Sequence, residues 1–347
     1  LQACSDHRAC QSSPNPAFVP TRLLRIGRPD ELVCCLVDQQ DLGGKPVEYF
    51  ALSHCWGSNV EITLTANNYP LMKKGICLET LSKNFRDAIA ATRALGVEYL
   101  WIDCLCIIQD SPEDEDWNRE SVLMMDVFAN AACTISATAS ASSQGGCFRD
   151  RMGVLSTCKL ITSATSELRI EIPAERQTIG ELFLSRVEAA PLMRRGWVFQ
   201  ERLLSRRIIH FCSDMLLFEC NTLQASEEDP KGSNYEKVPY LLVGGRIQSS
   251  TSTASSASPD PVRVDRWYEL VASYSRGALT KQTDKLVAIS GIAGLIEKTS
   301  HAQYVAGLWS NVAPEFGLLW RDTSPRSRRH ETYIAPTWSW ASLDGQI

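Results

Sequence analysis

The chain has 347 residues, 44% hydrophobic and 22% charged, the composition of a soluble globular protein rather than a disordered, fibrous or membrane one. Its net charge of -5 excludes a global positive field that would draw in nucleic acid or an anionic membrane. No run approaches the ~20 apolar residues of a membrane span, since even Tyr99 to Ile108 carries Asp103 in its middle, and at roughly 100 to 200 residues per domain the length allows one large domain or two modest ones.

Residues 1–45 read as an amino-terminal extension: a polar, Pro-containing opening, then a strand expected at Leu32 to Val37. The opening lacks a basic segment followed by an apolar one, so a signal peptide is expected to be absent or removed. The turn signal Asp41-Leu42-Gly43-Gly44 leads into a second strand, Val47 to Leu52. From Ser82 the spacing predicts a helix with Phe85, Ala88, Ile89, Thr92 and Leu95 on one face and Gly96 as its stop. Tyr99 to Asp103 then reads as a buried strand ending in a carboxylate. The acidic run Asp110 to Asp116 is expected to cap a helix bearing Trp117, Ser121, Met124 and Phe128. Cys133 to Thr138 is a third strand, and the small, polar stretch Ser140 to Asp150 is a loop.

Strand-like pieces such as Leu168 to Ile172 follow, then a helix around Trp197 to Leu204 and strands at Ile208 to Phe211 and Met215 to Phe218. Residues 222–260 turn polar, with Ser249 to Ser258 almost wholly Ser, Thr and Ala, and read as a flexible linker or loop. Residues 261–347 open on a helix with Val264, Trp267, Leu270, Val271 and Tyr274 at helical spacing. Strand and helix alternation predicts an α/β fold with a central parallel sheet flanked by helices, a β-rich insertion and a mainly helical carboxyl-terminal region.

Thirteen cysteines cannot all pair internally, several sit in apolar runs, and no Asn-x-Ser/Thr acceptor occurs. This usage predicts a reduced protein of the cytoplasm. Cys4, His7 and Cys10 form a Cys-x-x-His-x-x-Cys cluster that offers three zinc ligands, with Cys34 or Cys35 as a conceivable fourth. The plainer expectation is a polar arm with incidental thiols and no metal.

The chain has no Gly-rich dinucleotide turn, phosphate loop, nucleophile elbow or His-Glu-x-x-His helix. Asp103 at a strand end is placed to bind a ribose hydroxyl, since ligands of open α/β sheets sit outside the carboxyl ends of strands; capping the next turn is the alternative. Glu120 borders the buried face of its helix. Trp197 and Glu201, four apart, put a carboxylate beside an indole wall, which raises a carboxyl pKa by desolvation; a surface network of Glu201 with Arg202 or Arg195 is the alternative. Adjacent residues on a strand face opposite ways, so His54 is not placed to activate Cys55.

Jointly these segments resemble the HET (heterokaryon incompatibility) domain of filamentous fungi. The resemblance is carried by Tyr49 to Gly57, Leu81 to Ile89 with Thr92-Arg93 and Leu95-Gly96, Tyr99 to Ser111, Asp116-Trp117 with Glu120, Asn130-Ala131, and Arg195 to Ser205. It covers residues 46–221 closely, and Tyr274 to Leu279, Asp284 to Gly291 and Pro336 to Ser342 look like the region that follows in such proteins. His54 stands where the family has Tyr and Cys104 where it has Ser, so the rim of a pocket there is expected to differ. The end of the chain just after Ser342 suggests truncation of a longer protein.

HET domains are in turn similar to TIR domains. The comparison implies a TIR-like or flavodoxin-like sheet over 46–221, with residues 261–347 packed on it. It further implies cleavage of NAD, as substrate rather than cofactor, at the nicotinamide-ribose bond. In NAD-cleaving TIR domains the essential Glu follows a Trp by four residues on the helix before the fourth strand; Glu201 is the matching position and Glu120 ranks second. Ser53 and Asp103 would then hold hydroxyls, Trp56 or Trp197 would stack on a ring, and Arg195 would meet the pyrophosphate. A homo-oligomer or a partner incompatibility protein would complete the active state. The alternatives are a non-enzymatic, self-associating signalling module and a HET-fold enzyme acting on a small metabolite.

Overall fold

Short apolar runs bounded by polar turns fold into strands, as alternation and burial require. The computed structural model describes residues 1–11, 15–57, 62–150, 155–163, 166–173, 177–235, 264–300, 302–310, 312, 317–324, 327–330 and 332–347. The first strands are β1 (Arg22–Arg25), β2 (Val33–Asp38), β3 (Tyr49–Ser53) and β4 (Ile76–Cys77). Helix α1 (Lys83–Ala94) buries Phe85, Ala88, Ile89 and Thr92 as the spacing predicts, whereas Leu95 beyond its end is exposed. Gly96, at φ 79°, reverses the chain into β5 (Tyr99–Trp101). Helix α2 (Glu115–Asn130) and strand β6 (Cys133–Ser136) follow.

The insertion is an antiparallel hairpin, β7 (Leu155–Ser163) with β8 (Ser166–Pro173). Next come α3 (Gly196–Leu204), β9 (Arg207–Phe211), β10 (Leu216–Cys220), β11 (Leu223–Ser226), β12 (Ser233–Asn234), α4 (Val264–Tyr274) and α5 (Val287–Ser300). No helix among the described residues is long and apolar enough to cross a membrane.

The sheet runs β12-β11-β10-β9-β6-β3-β5-β1-β2-β4. Its middle is parallel: β3 pairs with β5 (Phe50 opposite Leu100) and with β6 (Ala51 opposite Thr134), and β6 pairs with β9 (Ile135 opposite Ile209). Every residue of β3 and β6 is buried, the signature of parallel strands covered on both faces. Taken in chain order, the four parallel strands lie in space as second, first, third, fourth. That is the flavodoxin-type order, and its direction reverses between β3 and β6, where such sheets bind ligands beyond their carboxyl ends.

One apolar cluster joins Leu23 and Leu24 of β1 through Phe50, Trp101 and Ile135 to Trp267, Ile289 and Trp340. Helix α5 lies against both α2 and α3. The carboxyl-terminal residues therefore share the core of the sheet rather than forming a separate one.

Several sequence expectations need correction. The parallel sheet is extended on both sides by antiparallel strands, among them β1, inside the segment read as a polar, Pro-containing opening. Residues 223–226 and 233–234 are strands within the stretch read as linker, because β10 and β11 pair as a tight hairpin; 236–263 lie outside the described residues. The acidic run does not cap α2 through a side chain. Asp116 instead accepts two hydrogen bonds from the Arg22 guanidinium at 2.6 and 2.9 Å and one from the Ile108 amide at 2.8 Å.

Candidate functional site

Two strands and one helix converge beyond the carboxyl ends of the parallel strands, beside the point where the sheet order reverses. Strand β3 ends at Ser53 and continues into His54, Cys55, Trp56 and Gly57; β5 ends just before Asp103; and α3, which precedes the fourth parallel strand, delivers Trp197 and Glu201. Between them lies a cavity of about 280 Å³ lined by Trp56, Asp103, Trp117, Arg195, Trp197 and Glu201, with Lys281 and Asp284 closing it from the carboxyl-terminal region.

Glu201 is 6% exposed. The Ser53 hydroxyl donates to its Oε2 at 2.5 Å. Burial raises its pKa to about 7, against the opposing effects of the Ser53 hydrogen bond and the Arg195 charge. The cavity thus holds a carboxyl group poised to change charge near neutrality. Asp103 is held differently. Its Oδ2 accepts from the Trp56 indole N–H at 2.6 Å, and its Oδ1 accepts from the Cys104 amide at 2.8 Å. It is the first residue of the helical turn Asp103–Cys106, accepting from the next amide, and it borders the cavity.

His54 is buried beneath Asp103, with Nδ1 3.7 Å from Oδ1, and stands edge-on to Phe85. Burial pushes its pKa down to about 4, so the ring is neutral at pH 7. Cys104 is also fully buried. Both departures from the family pattern therefore lie under the floor of the cavity and not on its rim, which corrects the sequence expectation. Cys55 packs with Leu192 and Val198, away from the His54–Phe85 contact, in agreement with the argument against a thiol–imidazole pair.

The aromatic wall is built by two elements. Trp117 of α2 and Trp197 of α3 meet edge to face with ring centroids 6.0 Å apart, and the Lys281 ammonium sits 5.6 Å from the centre of the Trp117 ring. The Trp197 indole N–H donates to Asp284 Oδ2 at 3.1 Å. Arg195 donates to the His54 carbonyl, which fixes the guanidinium at the cavity edge.

Five residues singled out from the sequence, Trp56, Asp103, Arg195, Trp197 and Glu201, line one cavity, and Ser53 stands behind Glu201. Ser53 is buried and already committed to Glu201, so it positions the carboxyl group. Glu120 does not line the cavity. It is buried beside Arg119, which donates to its Oε1 at 3.2 Å, and near the Arg22–Asp116 pair. The surface network considered for Glu201 does not form either, because Arg202 pairs with Glu219 and Glu188.

Lys281 was not anticipated, and Asp284 was noted only for its place in the resemblance. Both lie some 80 residues beyond α3 in sequence, and only the packing of the carboxyl-terminal region reveals their proximity. His54, Asp103 and Cys104 present potential ligand atoms within 4.8 Å of one another, but both oxygens of Asp103 already accept hydrogen bonds.

The family of heterokaryon incompatibility proteins (HET) matches residues 49–201. No curated protein and no solved structure matches the chain. The matched segment begins at the first residue of β3 and ends at Glu201, and so it encloses the parallel core up to α3 together with the cavity's main walls: this is a chain that carries a heterokaryon incompatibility (HET) domain over residues 49–201.

Proposed function

We propose that the protein is an NAD glycohydrolase of heterokaryon-incompatibility type, with Glu201 as its catalytic carboxylate. The observation that carries this reading is the position of Glu201: buried, hydrogen-bonded by Ser53, and beside Trp197 at the carboxyl edge of the parallel sheet. A cavity of about 280 Å³ lies at the lower end of the range for ligand sites. It suits the nicotinamide-ribose half of a dinucleotide, with the remainder extending past Arg195 and Lys281. The likeness to TIR-type enzymes rests on strand order and on the Trp197–Glu201 spacing.

In this reading the bond between ribose C1′ and the nicotinamide nitrogen breaks, its electron pair neutralises the ring cation, and the ribose becomes oxocarbenium-like. The ionised Glu201 stabilises that charge in a site shielded from water. Water then bonds to C1′, gives up a proton and leaves ADP-ribose. Trp56 or Trp197 flanks the departing ring, Asp103 offers its remaining acceptor capacity to a ribose hydroxyl, and Arg195 meets the pyrophosphate. The active form is a homo-oligomer or a complex with a partner incompatibility protein.

Nicotinamide release from NAD by concentrated protein tests the proposal. The wild type is expected to release it, and Glu201→Gln to be slower by about 10²–10³-fold, the usual cost of removing one electrostatic stabiliser. Release unaffected by Glu201→Gln would dismiss this carboxylate. Silence from both in an assembled sample would turn the reading towards a signalling module without enzymatic activity.

A further inference from the structure

We propose that Cys4, His7, Cys10 and Cys220 bind a zinc ion that staples the amino-terminal segment to the sheet. Their ligand atoms all lie within 4.8 Å of one another, and His7 Nδ1 is 3.4 Å from Cys220 Sγ. In a tetrahedral site with zinc–sulfur bonds of about 2.3 Å and zinc–nitrogen bonds of about 2.0 Å, neighbouring donors stand roughly 3.5–3.8 Å apart. Three thiolates and one imidazole form a donor set of structural zinc. Cys4 and Cys10 belong to two short helical turns, Ala3–Asp6 and Arg8–Gln11, which flank His7.

The fourth ligand is neither Cys34 nor Cys35, the candidates suggested by the sequence. Both are on β2, far along the sheet from β10, which ends at Cys220. Two hundred residues of intervening chain hide that meeting from the sequence.

The surroundings differ from those of the other buried cysteines. Cys104, Cys106, Cys133 and Cys147 belong to the main apolar cluster. Around Cys4 and Cys220 polar groups address the sulfurs: the Arg207 Nε donates to Cys4 Sγ at 3.2 Å, and Thr222 Oγ1 lies 3.6 Å from Cys220 Sγ. Arg207 also donates to the Cys10 carbonyl at 2.9 Å. Zinc with three thiolates carries one net negative charge, which the Arg207 guanidinium offsets while orienting the ligands. Cys220 lies opposite Arg207, the first residue of β9, so the staple is at the amino-terminal edge of that strand and away from the cavity at the carboxyl edge.

The test is zinc content of the full chain, purified without chelator and then incubated with zinc and dialysed. About one zinc per chain is expected, with Cys10→Ser and His7→Ala each binding it at least ten-fold more weakly. Should those variants fail to fold, cobalt substitution into the wild type decides: thiolate-to-cobalt charge transfer with tetrahedral d–d bands is expected. Three outcomes would each overturn the proposal: substoichiometric zinc in folded wild type, zinc retained unchanged by His7→Ala, or a disulfide among Cys4, Cys10 and Cys220 in protein alkylated at lysis.

Discussion

Glu201 and His54 are both buried, and burial moves them in opposite directions. The folded protein holds an extra proton on Glu201 between its unfolded value of 4.5 and its folded value of about 7, so its contribution to stability falls as pH rises through that window. His54 is the mirror case: between about 4 and 6.5 the unfolded chain holds the extra proton, so its contribution rises with pH and is lost as pH falls. Each effect is on the order of 3 kcal/mol at about 1.4 kcal/mol per pKa unit. From 4.5 to 6.5 the two nearly cancel, although Asp103 and Arg195 bear on both groups. Glu201→Gln is expected to uncover a stability that climbs from pH 4 to 6.5 and then levels off, and His54→Phe one that declines from pH 4.5 to 7. Urea midpoints across pH 4–8 would show it: a flat profile for Glu201→Gln would mean that the His54 ring titrates near its ordinary value, and a flat profile for His54→Phe would mean the same of the Glu201 carboxyl. At this scale the site was largely legible: Trp197 with Glu201 depends on helical spacing, which is local. Ser53 donating to Glu201 was not legible, since strand and helix are joined by almost 150 residues.

Helix α3 owes its position to two glycines. The Gly196 amide donates to the Ala278 carbonyl at 2.8 Å, and the Ala278 amide to the Arg194 carbonyl at 2.6 Å, clamping the start of α3 to the segment after α4. A Cβ on Gly277 would stand 2.9 and 3.0 Å from the Gly196 Cα and nitrogen, both backbone atoms that cannot swing aside. Gly277→Ala is expected to cost about 1–3 kcal/mol by overpacking and to loosen the Trp197 wall, read as altered tryptophan fluorescence. Gly180→Ala, where an added Cβ meets nothing within 4 Å, is the control and should be neutral or slightly stabilising. Equal effects from the two substitutions would dissolve the clamp argument. Helices and buried strands were readable because their periodicities are written in consecutive residues; the clamp was not, because glycine carries no pattern. Strand β1 escaped for a related reason, its four residues beginning and ending in arginine.

The whole molecule depends on segments from both ends entering one core. Strand β1 lies between β5 and β2 and carries Arg22, 6% exposed, into contact with Asp116 of α2 and the Cys106 carbonyl. The parallel order and its reversal could be anticipated from strand and helix alternation. The insertion of β1 could not, since a buried arginine in a strand makes sense only once its distant carboxylate is in view. Removing one member of a buried, hydrogen-bonded pair leaves the other uncompensated, at a typical cost of about 3–5 kcal/mol. Asp116 keeps Arg119 and the Ile108 amide as partners, so Arg22→Ala is expected to cost less than that, about 1–3 kcal/mol. Because Leu23 and Leu24 belong to the same apolar cluster as Phe50 and Trp267, the loss should appear as one cooperative transition with an unchanged denaturant slope. Far-ultraviolet dichroism and tryptophan fluorescence followed together through urea unfolding would check this. Noncoincident curves, with β1 and α2 lost before the Trp197 signal moves, would mean that the core is divided and that the cavity outlives the loss of the amino-terminal strand.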